Sequence, residues 1–302
     1  MVTVNLKGKK IFIKKKLLVL LPMLLLGFVL RSQTPKTNYP FHIDIQGEGS
    51  PIILIPGLAS SGKVWDQAVA TLAKNYQCHI LTLAGFSTQP PIKTDSSFLP
   101  VIQEKIIQYV EQELQEKPIL IGHSLGGFLS LSIASAQPDL VHKIVIVDSY
   151  PFYSAAMNPS ATEASAKSQA DMMKTMLVNM TDDNFAIQQK QMMAAMVTDS
   201  AHIEVVTEWS IQSDRHTMAQ AMYELMTTDL REEVELVKCP ILVFGSWYAA
   251  KDYGVTAEMV EKNYKTQFTK AKDCTIKIAN TGKHFIMLDE PQWFIENLES
   301  FL

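Results

Sequence analysis

The chain has 302 residues, of which 47% are hydrophobic, 9% aromatic and 19% charged; this balance excludes intrinsic disorder and leaves enough length to bury a substantial core. The net charge of −4 is unevenly spread: six lysines and no acid fall in residues 1–16, so the remainder carries 21 basic against 31 acidic residues. A body with that balance of −10 is excluded from nucleic-acid binding, whose affinity comes mainly from neutralising phosphates with Lys and Arg.

The lysine block (Lys7, Lys9, Lys10, Lys14, Lys15, Lys16) leads into residues 17–30, an uncharged apolar run broken by Pro22 and Gly27. As a helix it would span roughly 21 Å, short of the roughly 30 Å hydrocarbon core. A basic region followed by a short apolar one reads as an export signal over residues 1–32. No small-x-small triplet follows the run, so a cleaved signal peptide and an uncleaved anchor both remain open. The protein is expected to be exported, periplasmic or secreted, and to touch a membrane only through this segment. Residues 33–40 read as a polar tether.

From residue 41 short apolar runs alternate with helical patterns. Residues 41–46 and 51–55 read as two strands joined by Gly47-Glu48-Gly49-Ser50, a hairpin signal. Helix is expected over 66–75, strand over 78–83, and helix over 99–115, where Val101, Ile102, Ile106, Ile107, Val110 and Leu114 share a face. Strand follows at 118–121, helix at 127–137 and strand at 143–147. Towards the end come strand 240–244, helix 256–269, strand 274–279 and helix 291–302. Continuous apolar strands separated by helices imply an α/β fold with a mostly parallel sheet covered on both faces.

Between residues 150 and 230 this rhythm stops. The segment has no β-branched run bounded by turns, holds eleven of the fifteen methionines and reads as an all-helical insertion. The expected division is therefore a core of residues 41–149 and 231–302 with a helical cap at 150–230. Adaptable methionines suit both its own packing and a lid over an apolar ligand. Cys78, Cys239 and Cys274 cannot all pair within one molecule and match no metal-ligand spacing, so they read as buried thiols.

Chemistry concentrates at Gly122-His123-Ser124-Leu125-Gly126-Gly127, directly after one strand and before a helix. In that setting G-x-S-x-G forms a tight, strained turn that lifts the serine oxygen out of the sheet, and small residues at 122 and 126 let strand and helix approach. A serine hydroxyl needs a base. Of the seven histidines, His284 lies in the loop between the last strand and the last helix, at the same sheet edge as Ser124. An orienting carboxylate at another strand end completes the set, and two compete: Asp148, ending the strand 143–147, and Asp252, seven residues beyond Gly245. Two amides are candidates for an oxyanion hole, that of Leu125 after the nucleophile and that of Leu58 in the turn Pro56-Gly57-Leu58.

Together, Ile53-Leu54-Ile55-Pro56-Gly57, the Gly122–Gly127 hexapeptide, Asp229-Leu230-Arg231 ahead of Cys239-Pro240-Ile241-Leu242-Val243, and Gly282-Lys283-His284-Phe285 resemble the α/β-hydrolase superfamily, in its lidded serine hydrolase branch. The resemblance runs from about residue 41 to 302. It implies an eight-stranded sheet, a helical cap between strands six and seven, and no organic cofactor. Members commonly carry His-Gly where Pro56-Gly57 stands, and often place the acid where Tyr248 and Ala249 stand here. The second departure favours Asp148. The expected function is hydrolysis of an ester-like, moderately apolar small molecule through an acyl-enzyme on Ser124. Rival readings are an aminopeptidase acting on N-terminal proline, with Glu204, Glu208 or Asp214 receiving the ammonium, a hydrolase of carbon–carbon bonds, and a non-catalytic ligand-binding protein.

Overall fold

The computed structural model describes residues 2–6, 9–13, 38–92 and 97–302, in two compact units, residues 1–38 and 39–302. In the first unit β1 (Val2–Leu6) and β2 (Lys9–Ile13) pair antiparallel, Val2 opposite Ile13 and Leu6 opposite Lys9. Paired strands thus lie within the segment that reads as the basic start of an export signal, and the β-branched and aromatic residues of both favour them. The apolar run 17–30 and tether residues 33–37 lie outside the described residues. Among the described residues no helix is long and apolar enough to cross a membrane.

In the second unit β3 (Phe41–Gln46) and β4 (Ser50–Ile55) precede α1 (Asp66–Leu72), β5 (Tyr76–Leu83), α2 (Leu99–Glu113), β6 (Ile119–His123), α3 (Leu125–Ala136) and β7 (Lys143–Val147). Five helices follow: α4 (Tyr153–Met157), α5 (Glu163–Asn179), α6 (Asp182–Met196), α7 (Ser200–Ile211) and α8 (Arg215–Thr227). The chain then returns to the sheet with β8 (Ile241–Gly245), α9 (Ala257–Gln267) and β9 (Cys274–Ile278), and ends in α10 (Ile286–Asp289) and α11 (Pro291–Glu299). The sheet order is β3-β5-β4-β6-β7-β8-β9. Only the β3–β5 pairing is antiparallel.

The apolar runs are continuous because both faces of the central strands are covered. Ile53, Ile55, Leu81, Leu120, Ile144, Ile146 and Val243 pack on one side with residues of α2, α3 and α9. Their neighbours in the strands, among them Ile52, Leu54, Ile121, Val145, Val147, Leu242 and Phe244, pack on the other with α1, α10 and α11. The period of two along each strand delivers this division.

Two expectations require correction. Residues 41–46 and 50–55 do not form a hairpin: β5 lies between them, pairing antiparallel with β3 and parallel with β4. Skipping one strand means bridging about 10 Å, two strand spacings, within the reach of the three-residue connection Gly47-Glu48-Gly49. The two glycines make the passage possible. A Cβ on Gly47, at φ 80, would stand 2.4 Å from the Tyr76 carbonyl oxygen, and one on Gly49 2.5 Å from that of Asn75. The turn is thus pressed against the entry to the intervening strand. The sheet also has seven strands among the described residues rather than eight, so the helical insertion falls between its fifth and sixth strands. Among the described residues it ends at β3, whose residues beyond Phe41 are partly or fully exposed.

The insertion breaks into helices at polar capping residues. The side chains of Thr162, Thr181, Asp199 and Asp214 accept backbone N–H groups at the starts of α5, α6, α7 and α8. Met193, Met218 and Met226 are buried, whereas Met157, Met172 and Met176 face solvent. The methionines therefore serve internal packing and the outer surface alike. Glu224 in α8 accepts the backbone N–H groups of Phe98 and Leu99 at the start of α2, tying the insertion to the core.

Candidate active site

Ser124 sits between β6 and α3 at φ 52, ψ −118, a conformation that costs a non-glycine residue about 1–3 kcal/mol. Its surroundings hold it there: its N–H donates to the Val147 carbonyl at 2.8 Å, and its own carbonyl accepts from Phe128 at 3.0 Å. The glycines have the role the motif demands. A Cβ on Gly122 would stand 2.1 Å from the Gly126 oxygen, and one on Gly126 2.2 Å from the Ile55 oxygen. Strand, helix and the neighbouring β4 meet only because both lack side chains.

His284 follows β9 in a loop fastened at several points. Glu290 accepts backbone N–H groups of Thr281 and Gly282 and the side chain of Asn280. Burial pushes the Glu290 carboxyl up, but these hydrogen bonds outweigh it and hold the group below its ordinary value of 4.5. Lys283 points its Nζ at the carbonyls of Ala194 and Val197, at the C-terminal end of α6, where a cation is favoured. The backbone N–H of Phe285 donates to Met196. The insertion thus grips the residues on both sides of His284.

The imidazole Nδ1 of His284 lies 2.7 Å from Oδ2 of Asp148, and both side chains are largely buried. A carboxylate only accepts, so Nδ1 carries a proton, and in the neutral imidazole Nε2 is the atom with the free lone pair. Asp148 directly follows β7 at φ 47, with its N–H donating to Phe244 at 2.7 Å. Its carboxylate also accepts from Ser246 and Tyr264. Asp252 lies exposed in a 3-10 turn at Tyr248–Tyr253 and is not joined to His284. Of the two acids the sequence left open, only Asp148 meets the imidazole.

His123 is buried behind this pair. Its Nε2 donates to the backbone carbonyl of His284 at 3.0 Å, and the two rings lie 4.6 Å apart. Burial, with His284 adding to it, pushes the His123 imidazole well below its ordinary 6.5, so it stays neutral. The turn after β4 also reaches Ser124: a Cβ on Gly57 would stand 2.9 Å from Nδ1 of His123 and 3.3 Å from Cβ of Ser124. Ser60 N–H donates to the Gly57 carbonyl across this turn, with Ala59 at φ 55, a type II pattern that does not consume the Leu58 amide. Leu125 is the first residue of α3, so its N–H has no acceptor within the helix. Both proposed oxyanion donors are thus at turns bordering Ser124.

Other candidates fall away from this cluster. Glu204 and Glu208 are exposed on α7, with Glu208 hydrogen-bonded to Gln212. Asp214 caps α8 through Thr217. None is an unengaged buried carboxylate awaiting an ammonium. A cavity of about 530 Å³ lies among α5–α8, lined by Val178, Phe185, Ile211 and Arg215 among others; neither Ser124, His284 nor Asp148 borders it. The thiols of Cys78 and Cys239 are buried and pushed up to about 11, and that of the half-buried Cys274 to about 12, all by desolvation. Sequence reasoning missed Ser246 and Tyr264. Ser246 could have been suspected from its place after Gly245; Tyr264, in the middle of α9, gave no signal.

Residues 50–198 match a family model described as alpha/beta hydrolase fold. The pimeloyl-[acyl-carrier protein] methyl ester esterase of Vibrio vulnificus (strain YJ016) is 24% identical over 268 residues, covering 86% of this chain and 97% of its own. The enzyme of the same description from Aeromonas salmonicida (strain A449) is 31% identical over 109 residues, 36% of this chain and 41% of its own. Among solved structures, bromoperoxidase from Bacillus anthracis superposes with a TM-score of 0.72 at 16% identity, covering 88% of this chain and 96% of its own. That last likeness concerns the fold alone.

Proposed function

Because the chain belongs to the α/β-hydrolase family and is a hydrolase, we propose that it is a serine esterase with Ser124 as nucleophile, His284 as general base and Asp148 as the orienting carboxylate. The observation that carries this reading is the 2.7 Å contact from His284 Nδ1 to Asp148, which directly follows Val147, the residue whose carbonyl accepts from the N–H of the strained Ser124. With Nδ1–H committed to Asp148, Nε2 takes the Ser124 proton as Oγ attacks an ester carbonyl. The developing oxyanion is received by the amides of Leu58 and Leu125. Protonated His284 then returns the proton to the departing alcohol, leaving an acyl group on Ser124, and water activated by the same imidazole releases the acid.

The relatives are described as methyl ester esterases acting on a pimeloyl group borne by a carrier protein. An ester of a linear, moderately apolar acyl chain with a small alcohol is accordingly the substrate class we favour. Ligand binding without catalysis would need neither the bent serine nor the His284–Asp148 pair. We also assign the basic block and apolar run to export; N-terminal sequencing of fractionated cells, finding an intact Met1 only in the soluble cytoplasmic fraction, would reject that assignment.

A fluorophosphonate probe tests the enzyme directly. Labelling of the wild-type protein and none of Ser124→Ala is expected; a folded wild type that resists the probe refutes the reading. A series of p-nitrophenyl esters of increasing acyl length, run beside proline p-nitroanilide, then fixes the substrate class. Turnover of the anilide and not the esters would replace esterase by aminopeptidase.

A further inference from the structure

Four hydrogen bonds converge on the carboxylate of Asp148. Oδ1 accepts from the backbone N–H of Ser246 at 2.8 Å and from the Tyr264 hydroxyl at 2.9 Å. Oδ2 accepts from the Ser246 hydroxyl at 2.7 Å and from His284 Nδ1 at 2.7 Å. A carboxylate offers about four lone-pair sites. All are filled, so the group cannot turn away from His284 without breaking bonds to the loop after β8 and to α9 as well.

The donors are themselves immobile. Tyr264 is fully buried, and its ring lies parallel to that of Tyr150 at 4.0 Å. A Cβ on Gly245 would stand 2.3 Å from its Cε2, so the residue that ends β8 is glycine where the tyrosine passes. Ser246 follows that glycine and faces Asp148 with both backbone and side chain. The loop after β8, where the resemblance led one to seek the acid, instead supplies the groups that hold an acid placed one strand away.

We propose that Tyr264 and Ser246 are positioning residues for the hydrolysis, clamping Asp148 so that one oxygen stays aimed at His284 while part of its negative charge is dispersed. The assignment rests on the serine esterase reading above. Burial, together with Asp148 nearby, pushes the Tyr264 phenol well above its ordinary range, so it remains a protonated donor throughout the working pH. The titratable or charged groups around the His284 ring are Asp148 from the end of β7 and the neutral His123 from β6. Tyr264 and Tyr150 stand behind Asp148; on the histidine loop Lys283 is turned to α6, and Asp289 to Thr198 and the Lys283 amide.

Removing one donor leaves the carboxylate freer to rotate, and its charge less dispersed attracts the imidazolium more strongly. Tyr264→Phe and Ser246→Ala are compared with wild type by the pH dependence of p-nitrophenyl ester turnover and of fluorophosphonate labelling, with circular dichroism as the check on folding. Each variant is expected to lower kcat on the order of 10-fold with KM unchanged, and to move the acid limb of kcat/KM up by about half a pH unit. A tyrosine that merely fills space under Tyr150 would be replaced by phenylalanine without moving that limb. An unmoved limb in both folded variants overturns the assignment, whether or not kcat falls. Should Tyr264→Phe fail to fold, Ser246→Ala decides. Failure of the probe to label wild type overturns the esterase reading and this assignment together, whereas labelled wild type with indifferent variants overturns this assignment alone.

Discussion

His123 donates a hydrogen bond from its buried imidazole to the backbone carbonyl of His284, across 3.0 Å and 161 positions of sequence. The residue beside the nucleophile therefore supports the main chain of the base. Replacing it with phenylalanine keeps an aromatic ring against His284 and Phe285 but leaves that carbonyl without its donor. An unsatisfied buried acceptor costs about 1–3 kcal/mol. His123→Phe is expected to lower both the melting temperature and ester turnover, the latter on the order of 10-fold. Turnover equal to wild type would show that the loop is held well enough by Glu290 and Lys283 alone.

The two aspartates make opposite predictions. Asp148→Asn should reduce kcat by at least about 100-fold with the fold intact, because the amide disrupts the tautomer and orientation of His284. Asp252→Asn, on an exposed turn, should be close to wild type. Steady-state kinetics on one ester substrate suffices, and a large loss in Asp252→Asn with a normal Asp148→Asn would reverse the assignment.

The glycine at the elbow is a packing requirement. Gly126→Ala would set a methyl group 2.2 Å from the Ile55 oxygen and 2.7 Å from that of Pro56, both backbone atoms. Relief requires moving α3 off β4, so a destabilisation of roughly 3 kcal/mol or more is expected, with loss of activity. Gly254→Ala is the control. Its φ of 79 imposes left-handed strain, but nothing lies within 4 Å, so only about 1–2 kcal/mol should be lost. Urea unfolding of the two variants distinguishes a steric cost from a purely conformational one.

Buried histidines set the acid side of stability. His123 and His79 both lie below their ordinary 6.5, each chiefly through desolvation. The unfolded chain therefore binds more protons than the folded one once pH drops below that value, and stability present above it is lost on acidification. Urea midpoints should fall between about pH 7.5 and about pH 5.5. His79→Gln, which removes an imidazole placed 2.7 Å from the Tyr109 hydroxyl, should show a shallower decline. A midpoint independent of pH in the wild type would contradict this account.

The sequence by itself determined what depends on neighbours along the chain. Apolar runs buried on both faces announced the strands β4 to β8, a lack of β-branched runs and an excess of methionine announced the helical insertion, and glycines two residues either side of Ser124 announced a turn that only small residues permit. His284 was legible for the same reason, as a histidine in the loop after a recognisable strand. Tertiary structure alone decided which aspartate reaches that histidine, which strand lies between β3 and β4, and that Ser246 and Tyr264 close on Asp148 from 98 and 116 positions away. A carboxylate takes its donors from whatever the packed sheet and helices bring within 3 Å, and such partners leave no periodicity or spacing to read. The short turn at Gly47 can as easily pair its flanking strands as admit a third between them; the packing of β5 makes that choice.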